Sequence, residues 1–232
     1  MTPSPPPYFT LETLRFLNAL GQNNNHEWFR AHRADYETHV REPAQRLIVD
    51  LQEPLAQVSP HFRADPKKVG GSLFRVMRDT RRRHPEGPYK TWIGLRFYHE
   101  QKNEAHAPSF YVQLASPSSG MSSFIAGGLW RPAPDVLKRV REFLVANPNA
   151  WQAALITPGL ASYARECLPL KRMPRGYPED HPVAPSLRWT SFIWHRPTYA
   201  FLAPTLREDI VQGFQDLAPP VDYLCAALDL AF

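Results

Sequence analysis

The chain has 232 residues, of which 43% are hydrophobic and 21% charged, a balance that supplies the core of one globular domain of ordinary size. No run approaches the roughly 18 consecutive apolar residues of a membrane-spanning helix, so we expect no membrane partner. The N-terminus lacks the basic and apolar regions of a signal peptide. We therefore expect a cytoplasmic protein with a flexible Pro-rich tail over residues 1–8 and a single domain over residues 9–232.

Positive charge is concentrated in one segment of the chain. The formal net charge is +5, but residues 63–102 hold 11 basic and four acidic residues, a net of +7. A localised positive field attracts phosphate, carboxylate or nucleic acid. A solvated face with internal ion pairs would explain the same pattern without any ligand.

Three helices are predicted at the start of the chain. Thr10 is a good N-cap for a helix over residues 11–20, which Gly21 would close. A second helix is expected after the polar break at residues 22–25. Pro43 then opens a third, whose apolar positions recur at the helical period.

The pattern changes to strands at Gly70. Strands are predicted over residues 70–78, 91–99, 109–115 and 122–130. In the second of them, Ile93, Leu95 and Phe97 alternate on one face. The connections are short and rich in turn residues, which favours antiparallel pairing because parallel strands need crossovers of a dozen residues or more.

Helices return after the strands. Pro134 starts one, and shorter ones are predicted around Trp151 and Tyr163, whereas residues 170–185 are too irregular for either element. A last strand is predicted over residues 191–195, with two helices near residues 206–214 and 221–230. This order predicts an α+β fold with a central, mainly antiparallel sheet from the middle of the chain, flanked by N-terminal and C-terminal helices.

The common signatures of catalysis and cofactor binding are absent. The sequence contains no Gly-rich phosphate loop, no dinucleotide fingerprint, no nucleophile elbow and no HExxH motif. The nine histidines lack ligand spacing, and Cys167 and Cys225 are far apart, so we predict no metal, no disulfide and no cofactor. The sequence assigns no reaction and no oligomeric state, and whether the protein is an enzyme stays open.

Residues 73–81 and 88–91 form the first candidate site. In a strand over residues 70–78, Arg75 would lie on a partly apolar face, where a guanidinium needs a partner or a bound anion. A hairpin would bring the two strand ends together at one rim, and Asp79 could orient an arginine there. The predicted binding residues of this rim are Arg78, Arg81, Tyr89 and Lys90. A structural Arg–Asp lock in a turn is the alternative.

Residues 170–182 form the second candidate site. Lys171, Arg172 and Arg175 stand close to the pair Asp180–His181, a composition typical of a binding loop held on a scaffold. If the site is catalytic, His181 is the candidate general acid or base, because histidine is the side chain that titrates nearest neutral pH. Asp79 is the second catalytic candidate. A helix N-cap is the alternative role for Asp180.

Several motifs together resemble a known family. They lie at residues 24–29 (Asn-Asn-His-Glu-Trp-Phe), 74–81, 88–91 (Pro-Tyr-Lys-Thr), 127–132 (Gly-Gly-Leu-Trp-Arg-Pro) and 170–182. They are similar to a family of uncharacterised bacterial and fungal proteins, domain of unknown function 2461, over about residues 9–228. The resemblance implies one domain and no assigned activity. The chain departs from the family pattern at residues 82–87 and at Thr190, where the family tends to have Lys; if those family residues are catalytic, this member is altered or inactive.

Three functional hypotheses follow from these observations. The leading one is a pocket for an anionic small molecule, in which the two cationic segments converge and arginines grip phosphate or carboxylate. The alternative is a nucleic-acid-binding module, which would spread the cations over a face with Trp92, Tyr98 and Tyr111 free to stack. The third is a structural or protein-interaction domain, a role that Trp130 and the Pro-rich tail would suit. A concave cluster supports the first hypothesis, and a long exposed stripe supports the second.

Overall fold

The computed structural model describes residues 6–79, 81, 84–101 and 107–232. Residues 1–5 of the predicted tail, Thr80 of the first candidate segment and residues 82–83 of the family departure lie outside the described part. Helices from both ends of the chain flank one antiparallel sheet, so the predicted α+β class is confirmed.

The described part of the chain begins with helices. They are α1 (Leu11–Gln22), α2 (His26–Ala31), α3 (Arg33–Tyr36), a π-helical turn (Glu37–Arg41), α4 (Glu42–Asp50) and α5 (Gln52–Val58). Thr10 caps α1 as predicted, because its side chain accepts a hydrogen bond from the backbone N–H of Glu12. Gly21 does not end this helix. The helix continues to Gln22, and Asn23 ends it by donating from its side-chain amide to the carbonyl of Ala19 at 3.0 Å.

Six strands form the sheet in the described part of the chain. They are β1 (Phe62–Arg63), β2 (Trp92–His99), β3 (Ser109–Ala115), β4 (Phe124–Leu129), β5 (Ala164–Glu166) and β6 (Phe192–Pro197). Their order across the sheet is β1-β2-β3-β4-β6-β5, and every neighbouring pair is antiparallel. The sheet therefore draws on more of the chain than the middle segment, since β1, β5 and β6 come from outside it.

Residues 70–78 do not form the predicted continuous strand. They make two isolated bridges, from Leu73 to Leu95 and from Met77 to Tyr89. β1 already pairs with the C-terminal end of β2, so this segment follows the remaining edge of β2 for a few residues only. It then turns away and exchanges backbone hydrogen bonds with residues 88–90, which forms the predicted hairpin.

The second half of the chain supplies the remaining helices. They are α6 (Pro134–Ala146), α7 (Pro148–Leu155), a 3-10 turn (Pro158–Ser162), α8 (Ala184–Leu187) and α9 (Leu206–Ala226). Tyr163 follows the 3-10 turn and leads into β5 instead of forming a helix. The two predicted C-terminal helices are one, with Pro219 and Pro220 inside α9, because packing along the sheet outweighs the local preference for a break. None of the helices in the described part is long and apolar enough to cross a membrane.

The two faces of the sheet differ in what covers them. Ile93, Leu95 and Phe97 of β2 belong to the core. α9 packs on this face, where Phe214 lies 5.0 Å from the ring of Phe97. On the other face, the register aligns one row of side chains across four strands, namely Arg96, Tyr111, Ala126 and His195.

Candidate functional site

An open depression lies where α2 meets the hairpin formed by residues 76–78 and 88–90. Its volume is about 360 Å³. Its lining comprises Asn24, Asn25, His26, Arg78, His84, Gly87 and Pro88. Most of these residues belong to three segments, 24–29, 74–81 and 88–91, that carry the family resemblance. The depression is thus the place where separate motifs of the sequence meet.

The side chain of Asn24 holds the hairpin against the start of α2. Its Oδ1 accepts from the backbone N–H of Tyr89 at 2.9 Å, and its Nδ2 donates to the carbonyl of Tyr89 at 2.9 Å. The same Nδ2 donates to the carbonyl of Glu86 at 2.7 Å. Gly87 has a φ of +96°, and a Cβ there would lie 2.6 Å from the Asn24 carbonyl oxygen. Glycine is therefore required beside the Asn24 amide.

Tyr89 supports the depression from beneath. Its side chain is buried, and its ring stacks on Phe29 with 4.1 Å between centroids. Its hydroxyl shares a 3.0 Å hydrogen bond with Nδ1 of His26. When the hydroxyl donates, Nε2 of His26 carries the ring proton and can donate to a ligand. Tyr89, which the sequence predicted as a binding residue, is thus buried and in contact with His26, and it is not among the residues that line the depression.

Arg78 is the cation of the depression. Its Nε donates to the carbonyl of Tyr89 at 3.1 Å, which fixes the guanidinium in place. Its Nη1 lies 3.8 Å from the carboxylate of Glu86, whose side chain is 67% exposed, against 18% for Arg78. An ion pair this long with an exposed partner is weak. The guanidinium therefore retains donors for a ligand.

His84 adds a second imidazole to the lining of the depression. Its Nε2 donates to the carbonyl of Asp79 at 3.1 Å, which orients the ring. Arg78 and His26 therefore offer donors to a ligand in the depression, whereas the neutral ring of His84 offers Nδ1 as an acceptor.

Asp79 and Arg81 bind each other. Nε and Nη2 of Arg81 donate to the Asp79 carboxylate at 2.9 and 2.7 Å, and the side chain of Arg81 is 87% exposed. The hydrogen bond to Asp79, with the charge of that carboxylate, raises the pKa of Arg81. This is the arginine–aspartate lock weighed as the alternative to a ligand site, and Arg81 does not line the depression.

Lys90 and Arg75 lie toward the sheet and not in the depression. Neighbouring residues of an extended segment point to opposite sides, so Lys90 points away from the side that Tyr89 occupies. Its Nζ donates to the carbonyl of Met77 at 3.2 Å and lies 5.8 Å from the ring centroid of Trp92. Burial lowers the pKa of Lys90, and the charges of Arg78 and Arg75 add to this effect. Arg75 is exposed.

The second candidate segment lies at the other end of the sheet. The backbone N–H of Leu170 donates to the carbonyl of Arg188 at 2.7 Å, next to the start of β6. The antiparallel register places the start of β6 at one end of the sheet and the start of β2, which follows Lys90, at the other end. At about 3.3 Å per residue along a strand, the two segments are separated by roughly 25 Å or more. The structure therefore does not bring the two cationic segments into one pocket.

The side chains of this segment have other surroundings. Lys171, Arg172 and Arg175 are exposed, and none of them forms an ion pair with another described residue. His181 accepts a hydrogen bond at Nδ1 from the backbone N–H of Val183, at 3.3 Å, just before α8 begins. This bond lies within a turn, because the N-cap residue of α8 is Val183 and no described side chain caps the helix, so the cap role suggested for Asp180 is not found.

Sequence reasoning missed four polar side chains of the depression, namely Asn24, Asn25, His26 and His84. The first three stand in a segment that was recognised by its family resemblance, which is the signal that could have identified them. His84 lies in the segment that departs from the family, and no local pattern identifies it. Within the described residues, no group of three His, Cys, Asp or Glu side chains is placed to hold a metal ion, and both cysteines are free thiols.

Comparison with known proteins gives one match. A search of the curated proteins found none, and a search of the solved structures found none either. The model of a family described as conserved hypothetical protein (DUF2461) matches residues 12–223. The match includes every segment around the depression and nearly the whole domain, and the chain therefore belongs to the DUF2461 family.

Proposed function

We propose that this protein binds a small phosphate- or carboxylate-bearing molecule in the depression at Arg78. The observation that carries the proposal is a guanidinium with 18% exposure whose ion pair with a described residue is 3.8 Å long. A cation that is largely removed from water favours a bound anion, and arginine can grip phosphate or carboxylate through two parallel hydrogen bonds.

The rest of the depression suits such a ligand. Among the described residues, none of the seven that line it carries a carboxylate, whereas Nε2 of His26 and the amide of Asn25 can donate. A volume of about 360 Å³ lies within the range of roughly 300–1,000 Å³ for small-molecule sites. These features favour a compact ligand with one anionic group.

The proposal is narrower than the one made from the sequence. Arg78 is the one member of the predicted cationic cluster that lines the depression. The loop that contains Arg172, Arg175 and His181 has no part in it. No reaction is assigned to the site. A cytoplasmic location is part of the proposal and is supported by the two free thiols.

The test is a thermal-shift titration with inorganic phosphate, then with phosphorylated sugars, nucleotides and dicarboxylates, against chloride at matched ionic strength. A ligand that binds the native state raises the apparent stability, by about 2.7 kcal/mol at one hundred times its Kd. We expect stabilisation of the wild-type protein and none of Arg78→Gln.

Arg81→Gln is the matched control, since it removes an arginine three positions away that is exposed and bound to Asp79. It should respond to ligand as the wild-type protein does. The proposal fails if Arg78→Gln is stabilised as much as Arg81→Gln, or if phosphate and every ligand class leave the wild-type protein unchanged.

A further inference from the structure

Five rings form a continuous path over the sheet face opposite α9. We name this path the aromatic ladder; it consists of Phe74, Trp92, Tyr111, Phe124 and His195. The centroid distances between successive rings are 6.3 Å from Trp92 to Phe74, then 5.7, 5.7 and 5.8 Å. The ladder thus spans β2, β3, β4 and β6.

The aromatic ladder is separate from the hydrophobic core. Phe74, Trp92, Tyr111 and Phe124 are each partly exposed, and none belongs to the core or packs against it. Among the described elements, α9 and α5 are the helices with the main contacts to the sheet, and α9 packs on the opposite face. Rings that core packing does not require, held on an open antiparallel sheet, are available to stack on a ligand.

Small residues lie beneath the rings of the aromatic ladder. Ala126 lies in the register row between Tyr111 and His195, and Gly94 lies beside Tyr111. A Cβ at Gly94 would lie 2.4 Å from the ring of Trp92, 3.0 Å from the hydroxyl of Tyr111 and 3.1 Å from the ring of Phe74, so these rings pack directly on the glycine. The rings therefore stand above a floor of small side chains.

Cations border one end of the aromatic ladder. Arg96 lies directly across from Tyr111 in the register, is exposed and has no ion pair with another described residue. Lys90 lies 5.9 Å from the Phe74 ring, and Arg75 is exposed nearby on the same segment as Phe74. These three residues belong to the segment with a net charge of +7.

The charge on this face is uniform in sign. The outward positions of β2, β3, β4 and β6 carry no carboxylate. Acids stand at the margins: Asp65 accepts a hydrogen bond from the Tyr98 hydroxyl at 2.8 Å, and Glu166 lies on the edge strand β5. The face therefore complements a polyanion whose bases can stack.

We infer that the aromatic ladder binds single-stranded nucleic acid, with bases stacked on its rings and phosphates held by Lys90, Arg96 and Arg75. Single strands fit because their bases are free to stack, and a duplex does not present them. The surface is elongated and open, and it is distinct from the depression at Arg78. The inference does not depend on the small-anion proposal.

The test is fluorescence anisotropy with fluorescein-labelled 15-mers of oligothymidylate and oligouridylate, together with a 15-base-pair duplex. We expect the single strands to bind at least about tenfold more tightly than the duplex. With three phosphate contacts, the logarithm of the binding constant should fall with the logarithm of salt concentration with a slope of about −2.

Two variants remove the two kinds of contact. Phe124→Leu keeps an apolar side chain but loses the ring, and about tenfold weaker binding is expected from the loss of one stacked base. Arg96→Gln should weaken binding and reduce the salt slope by about 0.7. Arg172→Gln is the matched control, because it removes an exposed arginine at the other end of the sheet and should bind as the wild-type protein does.

Arg78→Gln separates the two sites, since it should lose phosphate stabilisation and retain oligonucleotide binding. Equal affinity for duplex and single strands would overturn the inference. The inference would also be overturned if no oligonucleotide bound, or if Arg172→Gln weakened binding as much as Arg96→Gln does. A third contrary result is that Arg78→Gln abolishes binding while Arg96→Gln and Phe124→Leu leave it unchanged.

Discussion

Replacing Asn24 by Ala should loosen the hairpin from α2 and lower the stability of the whole domain. The side chain makes three hydrogen bonds of 2.7–2.9 Å to the backbone of Glu86 and Tyr89. Each such bond contributes about 1 kcal/mol net, so we expect a loss of about 2–3 kcal/mol of unfolding free energy. For a domain of this size, that corresponds to a melting temperature lower by about 5–10 °C.

Urea denaturation measures this loss directly, since the midpoint falls while the slope stays constant if the unfolded state is unchanged. Asn24→Asp should be at least as damaging at neutral pH, because it keeps one acceptor for Tyr89 but points a carboxylate oxygen at two carbonyls. Asn23→Ala is the control, since that exposed side chain makes one bond to Ala19. The reasoning is refuted if Asn24→Ala costs no more than Asn23→Ala.

Three further predictions concern other parts of the fold. Gly128→Ala should lower the free energy of unfolding, measured in urea, by at least about 3 kcal/mol, because φ is +127° and a Cβ would collide with the backbone of β6. The control is Gly120→Ala, which should lower it by about 1 kcal/mol because the Cβ would face open space. Burial, with a hydrogen bond that the Tyr98 hydroxyl donates to the Asp65 carboxylate, raises the pKa of Tyr98 from 10.0 to about 12. Its contribution to stability is present below pH 10 and is lost as the pH rises toward 12, so the stability difference between wild type and Tyr98→Phe should shrink over that range. One thiol of the native protein should react rapidly with a disulfide reagent, because Cys167 is partly exposed whereas Cys225 is buried and its pKa is raised to about 12. Rapid reaction of two thiols per molecule would contradict this.

The elements with strong local patterns could be predicted from the sequence. The alternation of Ile93, Leu95 and Phe97 gave the limits of β2 to within one residue, and β3 was predicted at its observed limits. Thr10 was identified as a helix cap because a cap is a property of a few consecutive residues. These features depend on interactions that span only a few positions along the chain.

The remaining features depend on contacts between distant residues. Residues 70–78 have strand composition, but their partner edge on β2 is shared with β1, which local composition does not reveal. Pro219 and Pro220 predict a helix break, and the packing of α9 against the sheet removes it. Local preference fails where tertiary contacts decide the conformation.

The candidate site was predicted in part. Arg78 was identified by the charge pattern. Asn24 was not, because its amide binds Tyr89, which lies 65 residues further along the chain. Strand order determines where the second candidate segment, residues 170–182, lies. Because β6 runs beside β4 in the opposite direction, the loop that contains Arg172 lies at the far end of the sheet, and no spacing in the sequence encodes that placement.

The most direct test of the central claim is the position of a bound anion. Crystals grown without phosphate or sulfate can be soaked with selenate, a phosphate-sized anion whose selenium scatters anomalously. We expect an anomalous peak within hydrogen-bond distance of the Arg78 guanidinium, about 3 Å from its nitrogens, and no such peak in crystals of Arg78→Gln. A peak confined to the loop of residues 170–182, or an empty depression at selenate concentrations that stabilise the protein in solution, would contradict the account.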